Sequence, residues 1–154
     1  RECQYVAVDL LARHWKKLAD RDLPDLLALV QQKSWWDSVD GLAGVVGDIV
    51  RAARAADADA QRVMDAALVH QNLWVRRVAT LHQLGWRTDT DRLRLFDYAL
   101  KLAGEPDFFI RKAIGWALRQ YARTNPAAVR QFLETNRARL SALSFREAAK
   151  HLSP

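Results

Sequence analysis

Apolar residues recur at intervals of three and four along almost the whole chain, and this helical periodicity constrains the fold more than any other feature. Runs in which β-branched and polar residues alternate, as they do in half-buried strands, are absent. The pattern therefore predicts an all-α fold with short connections, which favour antiparallel neighbours. The predicted helices cover residues 2–18, 23–33, 35–53, 57–69, 73–85, 90–103, 107–123, 126–138 and 144–151.

Residues that favour helix ends mark several of these boundaries. Side-chain oxygens of Ser, Asp and Asn cap the first N–H groups of a helix, proline is common in its first turn, and glycine is common after its last turn. The predicted starts are Asp22 with Pro24, Ser34, and Asn125 with Pro126, and the predicted stops are Gly85 and Gly104.

Two segments of the chain resemble each other at a spacing of 35 residues. They are LWVRRVATLHQL (73–84) and FFIRKAIGWALR (108–119), and each combines an aromatic residue, a basic pair and an apolar helix. Helix-pair units of this length are typical of α-solenoids built from HEAT-like repeats. We therefore predict one domain over residues 1–154, a curved solenoid whose concave surface binds a partner.

The charge of the chain is unevenly distributed. Residues 1–71 contain 9 Lys and Arg against 11 Asp and Glu, whereas residues 72–154 contain 15 against 7. A strongly basic second half indicates a polyanionic partner, of which nucleic acid is the commonest. A basic surface that only keeps the protein soluble is the alternative.

Composition also limits the partners and the cellular location that can be expected. No apolar run approaches the roughly 20 residues that span a bilayer, so no membrane partner is expected. The single cysteine, Cys3, excludes an internal disulfide framework and indicates a reducing, cytoplasmic location. We expect a monomer.

Helical phase separates two faces of the segment KSWWDSVDGLAG, residues 33–44, and the helix that it begins. Trp36 and Asp40 are one turn apart and share a face beside the core. In the alternative interpretation, Trp36 covers a seam between repeats and Asp40 is a solvated charge. Because Asp40 lies off the core, phase predicts that removing its charge changes stability by only about 0.5 kcal/mol. The core stripe comprises Trp35, Val39, Leu42, Val46 and Ile49.

The helix predicted at 107–123 also has two faces. Its apolar stripe comprises Ile110, Ile114, Ala117 or Leu118, and Tyr121, and the opposite face comprises Lys112, Trp116, Arg119 and Arg123. An aromatic surface among cations suits nucleic acid, because Lys and Arg contact phosphates. Cation–π packing on an exposed face is the alternative.

Other chemistry finds little support in the sequence. The glycines Gly41, Gly44 and Gly47 lie within a helix and lack the Lys-Ser/Thr of a phosphate loop, so we predict that they permit close helix packing. The histidines His14, His70, His82 and His151 show no metal-ligand spacing. We therefore expect no metal site, and we interpret His82, beside a core stripe, as a structural histidine.

Several motifs together resemble the AlkD-like family of DNA alkylation repair glycosylases. They are KSWWDSVD, NLWVRRVATLHQL, FFIRKAIGWALRQYARTNP and LSFREAAKHL, in this order along essentially the whole chain. The resemblance implies HEAT-like repeats around duplex DNA and excision of positively charged N3- and N7-alkylated purines without metal or cofactor. Members of the family have additional N-terminal helices, which we expect this chain to lack.

The resemblance also implies roles for individual residues. The second acid of WWDSVD, Asp40, is the expected catalytic carboxylate, and Trp36 and Trp116 are expected to contact the lesion. Arg119 and Arg77 match positions that contact DNA, and only the resemblance favours Arg77 over its neighbour. The cationic face of the helix at 107–123, rather than the resemblance, adds Lys112 and Arg123 to the expected DNA-binding residues, and Arg76 is expected beside Arg77.

The sequence thus predicts a monofunctional DNA glycosylase that excises alkylated purines from duplex DNA. A HEAT-repeat module that binds DNA without excising a base is the main alternative. A protein-interaction scaffold would account for the repeats but not for the face that combines tryptophan with arginine.

Overall fold

The computed structural model describes residues 2–54 and 59–152, and every regular element within these residues is helical. The all-α prediction is therefore confirmed for this part of the chain. Of the helix predicted at 57–69, residues 57 and 58 lie outside the described residues. The chain divides into two compact units, residues 1–82 and 83–154, and the single domain over 1–154 stays a prediction.

Unit 1 is built around one long helix, α3, which packs against helices on either side of it in the sequence. The helices of this unit are α1 (Glu2–His14), α2 (Leu23–Val30), α3 (Trp36–Ala53), α4 (Asp59–Ala67) and α5 (Leu73–Leu81). Most of the predicted core stripe is confirmed, because Val39, Leu42, Val46 and Ile49 are each at most 5% exposed. Burying such aliphatic side chains stabilises a fold by roughly 1.5–3 kcal/mol each.

The assignment of Trp35 to this core is wrong. The side chain of Trp35 is 42% exposed, and its ring lies 5.9 Å from that of Trp74. The backbone of Trp35 is extended (φ −147°, ψ 156°) because this residue precedes the first turn of α3. Helical phase does not apply to a residue outside the helix, so the stripe begins one turn later, at Val39.

Ser34 is not the N-cap of α3, contrary to the prediction. Trp35 occupies that position and makes no side-chain capping bond. The Ser34 hydroxyl instead donates to the carbonyl of Val30 at the end of α2. The start predicted at Asp22 with Pro24 is confirmed in position, because α2 begins at Leu23 with the proline in its first turn. Asp22 itself makes no side-chain capping bond to this helix.

One of the glycines of α3 permits close packing, as predicted. A methyl group built on Gly41 would lie 2.5 Å from Cγ1 of Val8 on α1, which is closer than real Cβ contacts. A methyl group on Gly44 would meet no atom within 4 Å, so the packing interpretation fails there.

The interpretation of His82 as a structural histidine is confirmed. The ring is 1% exposed, and its Nδ1 lies 2.6 Å from the carbonyl oxygen of Ala79. Because a carbonyl only accepts, Nδ1 bears the hydrogen, and Nε2 accepts from the side-chain amide of Gln61 at 3.2 Å.

Unit 2 has α7 as its central helix, which packs against α8 and most extensively against α9. Its helices are α6 (Arg92–Lys101), α7 (Phe108–Ala122), α8 (Pro126–Thr135) and α9 (Ala142–Ala149). Each begins with a side chain that accepts a hydrogen bond from the first turn, and these caps are Asp91, Asp107, Asn125 and Ser141. The start predicted at Asn125 with Pro126 is confirmed.

The close contact between α7 and α9 depends on Gly115. A methyl group built there would lie 2.5 Å from Cβ of Glu147 and 2.9 Å from the carbonyl oxygen of Ser144. The Ser144 hydroxyl donates to the carbonyl of Arg111 at 2.9 Å across the same contact. The missing side chain therefore lets α9 lie against the backbone of α7.

The repeat spacing is reproduced in the helix starts. Asn72 caps α5 and Asp107 caps α7, 35 residues apart. Several predicted helix ends extend up to four residues too far, as at α5, which ends at Leu81 rather than 85. The chain there leaves the helix through turns to Gly85, whose φ of +81° only glycine adopts readily.

Candidate functional site

Asp40 on α3 and Arg77 on α5 form a bidentate ion pair inside unit 1. The Arg77 Nε donates to Oδ1 of Asp40 at 2.7 Å, and its Nη2 donates to Oδ2 at 2.8 Å. The side chains are only 6% and 14% exposed for Arg77 and Asp40 respectively. Two parallel N–H···O bonds fix the plane of the carboxylate as well as its position.

Exposed aromatic surface lies on the same helix face as this carboxylate. Trp36 precedes Asp40 by one turn of α3, and its side chain is 47% exposed. Beside it in sequence, Asp37 accepts a hydrogen bond from the hydroxyl of Tyr5 at 2.6 Å. Trp36 thus presents an electron-rich ring to solvent next to a fixed carboxylate.

The ion pair changes the expected effect of substituting Asp40. Helical phase alone predicted a stability change of about 0.5 kcal/mol. Arg77 is buried, so removing the carboxylate charge breaks a buried ion pair, and breaking such pairs is destabilising. Asparagine keeps one acceptor oxygen, and we now expect Asp40→Asn to destabilise the fold by about 2 kcal/mol.

The side chain of Arg76 lies in a different environment from that of Arg77. In the sequence, only the family resemblance distinguished these two neighbours. The Arg76 Nη1 donates to the backbone carbonyls of His70 and Gln71, at 2.7 and 2.8 Å. These bonds tie the start of α5 to the turn that precedes it. The two neighbouring arginines therefore make different contacts, one with a loop and one with a carboxylate.

In unit 2, the predicted cations of α7 converge on Glu147 of α9. Lys112 Nζ lies 3.1 Å from Oε1 of Glu147, and Arg119 Nη1 donates to Oε2 at 3.0 Å. Lys150 Nζ approaches Oε1 at 2.8 Å from the end of α9. The structure thus brings Lys112 and Arg119 together, one turn on either side of Trp116, through a carboxylate that has an 8% exposed side chain.

The surrounding cations strongly favour the ionised form of Glu147. The hydrogen bond from Lys150 is the largest cause, and Lys112 adds a second hydrogen bond and its charge. Together they outweigh burial and lower the pKa of this carboxyl to about 2, from an ordinary value of 4.5.

The other two predicted residues of α7 lie outside this cluster of contacts. Trp116 is half-buried, and Arg123 is exposed at the C-terminal end of the helix. Trp36, Asp40, Arg76 and Arg77 belong to unit 1, whereas Trp116, Lys112, Arg119 and Arg123 belong to unit 2.

Glu147 and Lys150 were missed as site residues in the sequence. The motif LSFREAAKHL contains both, but nothing in a single helix shows that Glu147 faces cations 28 and 35 positions away. The sequence contained one signal: Ser144, Glu147 and Ala148 are spaced so that they share a helix face. The structure shows that all three are buried. A glutamate on a stripe of small residues is a candidate for a buried, paired carboxylate.

Among the residues that the structure describes, no group of three or more His, Cys, Asp or Glu side chains is placed to hold a metal ion. No helix in the described ranges is both long and apolar enough to cross a membrane.

Comparison with known proteins identifies the family. A sequence model described as "DNA alkylation repair enzyme" matches residues 1–152. A solved structure described as a "Predicted DNA alkylation repair enzyme from Enterococcus faecalis" is 35% identical and superimposes with a TM-score of 0.90, covering 99% of this chain and 70% of that one. No curated protein matches significantly. The chain belongs to the DNA alkylation repair enzyme family.

Proposed function

We propose that this protein is a DNA glycosylase that excises N3- and N7-alkylated purines from duplex DNA, with Asp40 as the catalytic carboxylate. The observation that supports this most is the bidentate bond from Arg77, which fixes Asp40 one turn from the exposed ring of Trp36. Membership of the DNA alkylation repair enzyme family supports alkylated DNA as the substrate, and this contact offers a preorganised group for the chemistry.

The proposed reaction requires few catalytic groups from the protein. An N-alkylated purine bears a positive charge in the ground state, so it leaves as a neutral base without a general acid. As the glycosidic bond breaks, positive charge develops on the sugar, and the Asp40 carboxylate stabilises it. Each carboxylate oxygen has two lone pairs and gives one to Arg77, so a second can accept a hydrogen bond from the attacking water.

Trp36 and Trp116 have a proposed role in contacting the lesion. The face of an indole ring attracts cations, and an alkylated purine is a cation before it leaves. Trp36 meets the basic requirement of an accessible ring, since nearly half of its surface is exposed.

Unit 2 has the charge that DNA binding requires. Residues 83–154 contain 13 Lys and Arg against 7 Asp and Glu, a formal charge of +6, whereas residues 1–82 contain 11 of each. Arg119, Lys112 and Arg123 are the proposed phosphate contacts of this unit. In unit 1 the proposed contacts are Arg77, which the resemblance carries over, and its neighbour Arg76. The burial of Arg77 against Asp40 favours an action through the carboxylate rather than a direct phosphate contact.

A DNA-binding module that excises no base is the second candidate. It is favoured by the same ion pair, because a carboxylate whose two oxygens both accept from a buried arginine is also what a purely structural pair contains. In this case Asp40 would stabilise the contact between α3 and α5 and nothing more.

Release of N7-methylguanine from methylated duplex DNA distinguishes the two candidates. The purified chain is incubated with duplex that contains the lesion, and the free base is separated and quantified. We expect base release well above the spontaneous rate, and a duplex left with an intact strand at the abasic site. Binding of duplex with no release would favour the second candidate, and absence of binding would contradict both.

A further inference from the structure

We propose that Glu147 is a positioning residue that organises Lys112, Arg119 and Lys150 into one binding site for a phosphate of the DNA backbone. This inference rests on the proposed function for its ligand, duplex DNA. It adds two residues, Glu147 and Lys150, that the sequence did not assign, and it gives the acidic one a role in binding an anion.

The geometry of the cluster is the first support. One buried carboxylate contacts three cations at 2.8–3.1 Å. Two of them lie on α7, and the third, Lys150, directly follows α9. The side chains of Lys112, Arg119 and Lys150 remain 37%, 23% and 47% exposed respectively, so all three reach the surface of the protein. Three positive charges held by one negative charge leave a local excess of two, which suits a phosphate diester.

Without Glu147, the three cations would repel one another. Long Lys and Arg side chains also lose conformational entropy when they are held in place. A carboxylate at their centre offsets both effects before DNA arrives. Arg119 uses only its Nη1 for Glu147, and the guanidinium has further N–H groups with which to contact a phosphate.

The internal repeat is the second support. In both copies, the first residue of the basic pair donates to the carbonyl six positions earlier: Arg76 to His70 and Arg111 to Glu105. The second residue pairs with a carboxylate from another helix, Arg77 with Asp40 and Lys112 with Glu147. The ion pair of Lys112 is therefore part of a recurring arrangement and not an incidental surface contact.

The proposal predicts that Glu147→Gln changes DNA affinity in the direction opposite to the one expected from net charge. Glu147→Gln makes the chain more positive by one, and electrostatic attraction alone would then strengthen its binding to DNA. If Glu147 positions the cations, the same change weakens binding. Glu134→Gln is the matched control, because Glu134 is an exposed glutamate of unit 2 and the change in charge is identical.

Affinity for lesion-free duplex, measured by fluorescence anisotropy over a range of salt concentrations, tests the proposal. We expect Glu147→Gln to weaken binding about tenfold and to reduce the log–log salt slope by about one phosphate contact. Glu134→Gln should bind as tightly as the wild type or more tightly. If Glu147→Gln also binds as tightly or more tightly, the proposal is overturned.

A second pair of variants decides the question if Glu147→Gln does not fold. Lys150→Gln and Lys101→Gln each remove one positive charge from an exposed lysine of unit 2. Lys101 pairs with Asp97 one turn away on α6, at 2.7 Å, and serves as the control. We expect only Lys150→Gln to reduce the salt slope, by about 0.9. Equal slopes in the two variants would overturn the proposal.

These outcomes are separable from those of the proposed function. A wild-type chain that releases N7-methylguanine while Glu147→Gln behaves like Glu134→Gln retains the glycosylase and refutes the positioning role. A chain that shows the predicted binding changes but releases no base retains the phosphate site and refutes the glycosylase. A wild-type chain that does not bind duplex DNA contradicts both.

Discussion

Arg77 donates both of its parallel hydrogen bonds to Asp40, so substitutions at Arg77 should act through that carboxylate. Arg77→Lys keeps the positive charge but cannot form two parallel bonds. We expect excision of N7-methylguanine to fall about tenfold because the carboxylate loses its fixed orientation. The measurement is the single-turnover rate of base release.

The salt dependence of duplex binding by Arg77→Ala separates this role from a direct DNA contact. Since Arg77 is 5% exposed, we expect the salt slope to stay at the wild-type value even though the fold is destabilised. A slope reduced by about 0.9 would instead assign Arg77 to the DNA backbone.

Glu147 should make stability depend on pH in the acidic range. Its pKa is lowered to about 2 in the folded chain from an ordinary value of 4.5. The stabilisation is therefore fully present above about pH 4.5 and is lost as the pH falls towards 2, because the unfolded chain binds the proton first. Urea unfolding at a series of pH values should show this loss in the wild type and in Glu134→Gln.

The Glu147→Gln variant has no carboxyl at this position and should show a flatter profile between pH 4.5 and 2. Other carboxyls contribute the remaining slope in all three proteins. A Glu147→Gln profile parallel to that of the wild type would show that this ion-pair cluster does not contribute to stability.

At the level of helices, the contact between α7 and α9 should fail when Gly115 acquires a side chain. The methyl group of Gly115→Ala would overlap Cβ of Glu147 and the backbone of Ser144, so α9 must move. We expect a loss of about 2 kcal/mol in the free energy of unfolding.

Gly44→Ala is the matched control on α3, where a methyl group would meet no atom within 4 Å. Alanine is favoured over glycine within a helix, and we expect a gain of about 0.5–1 kcal/mol. Urea midpoints measure both changes. A Gly115→Ala variant as stable as Gly44→Ala would contradict the close packing of α9.

Elements whose cause is local were predictable from the sequence. Helix positions follow from apolar spacing and caps, and the stripe from Val39 to Ile49 is buried as expected. Trp35 was misassigned because one residue of extended backbone shifts the start of the helix. The exposure of Trp35 could not be predicted from helical spacing, because this spacing applies only to residues within the helix.

The partners of the site residues could not be predicted from the sequence, for a different reason. Helical phase gives the direction of the Asp40 side chain on α3. It does not show that the partner of this side chain is Arg77, 37 residues later in the chain. The same holds for Lys112 and Arg119, whose shared partner Glu147 lies on another helix. Contacts between helices depend on packing, so the roles of Asp40 and Arg77 came from a resemblance rather than from spacing.

For the whole molecule, the distribution of charge predicts where DNA affinity resides. The formal charge of +6 belongs to residues 83–154, and residues 1–82 are balanced. We expect affinity for duplex to fall steeply with salt, with a slope of about −0.9 for each phosphate contacted. Arg119→Ala should reduce the slope by one contact, whereas Arg13→Ala should leave it unchanged.

Arg13 is a suitable control because it is an exposed arginine of unit 1 that pairs with Asp9 on the same helix. Both substitutions remove one positive charge, so only the position differs. Equal effects of the two variants would mean that binding follows net charge and not the residues proposed here.

The most direct test of the proposed chemistry compares two neighbouring carboxylates of α3. Asp40→Asn and Asp37→Asn each remove one negative charge, and Asp37 accepts a hydrogen bond from the hydroxyl of Tyr5. The rate of N7-methylguanine release is measured with enzyme in excess over DNA, at a temperature where circular dichroism shows both variants folded. We expect Asp40→Asn to be slower than the wild type by about a hundredfold or more, and Asp37→Asn to stay close to it. Release by folded Asp40→Asn at the wild-type rate would contradict the assignment of Asp40 as the catalytic carboxylate.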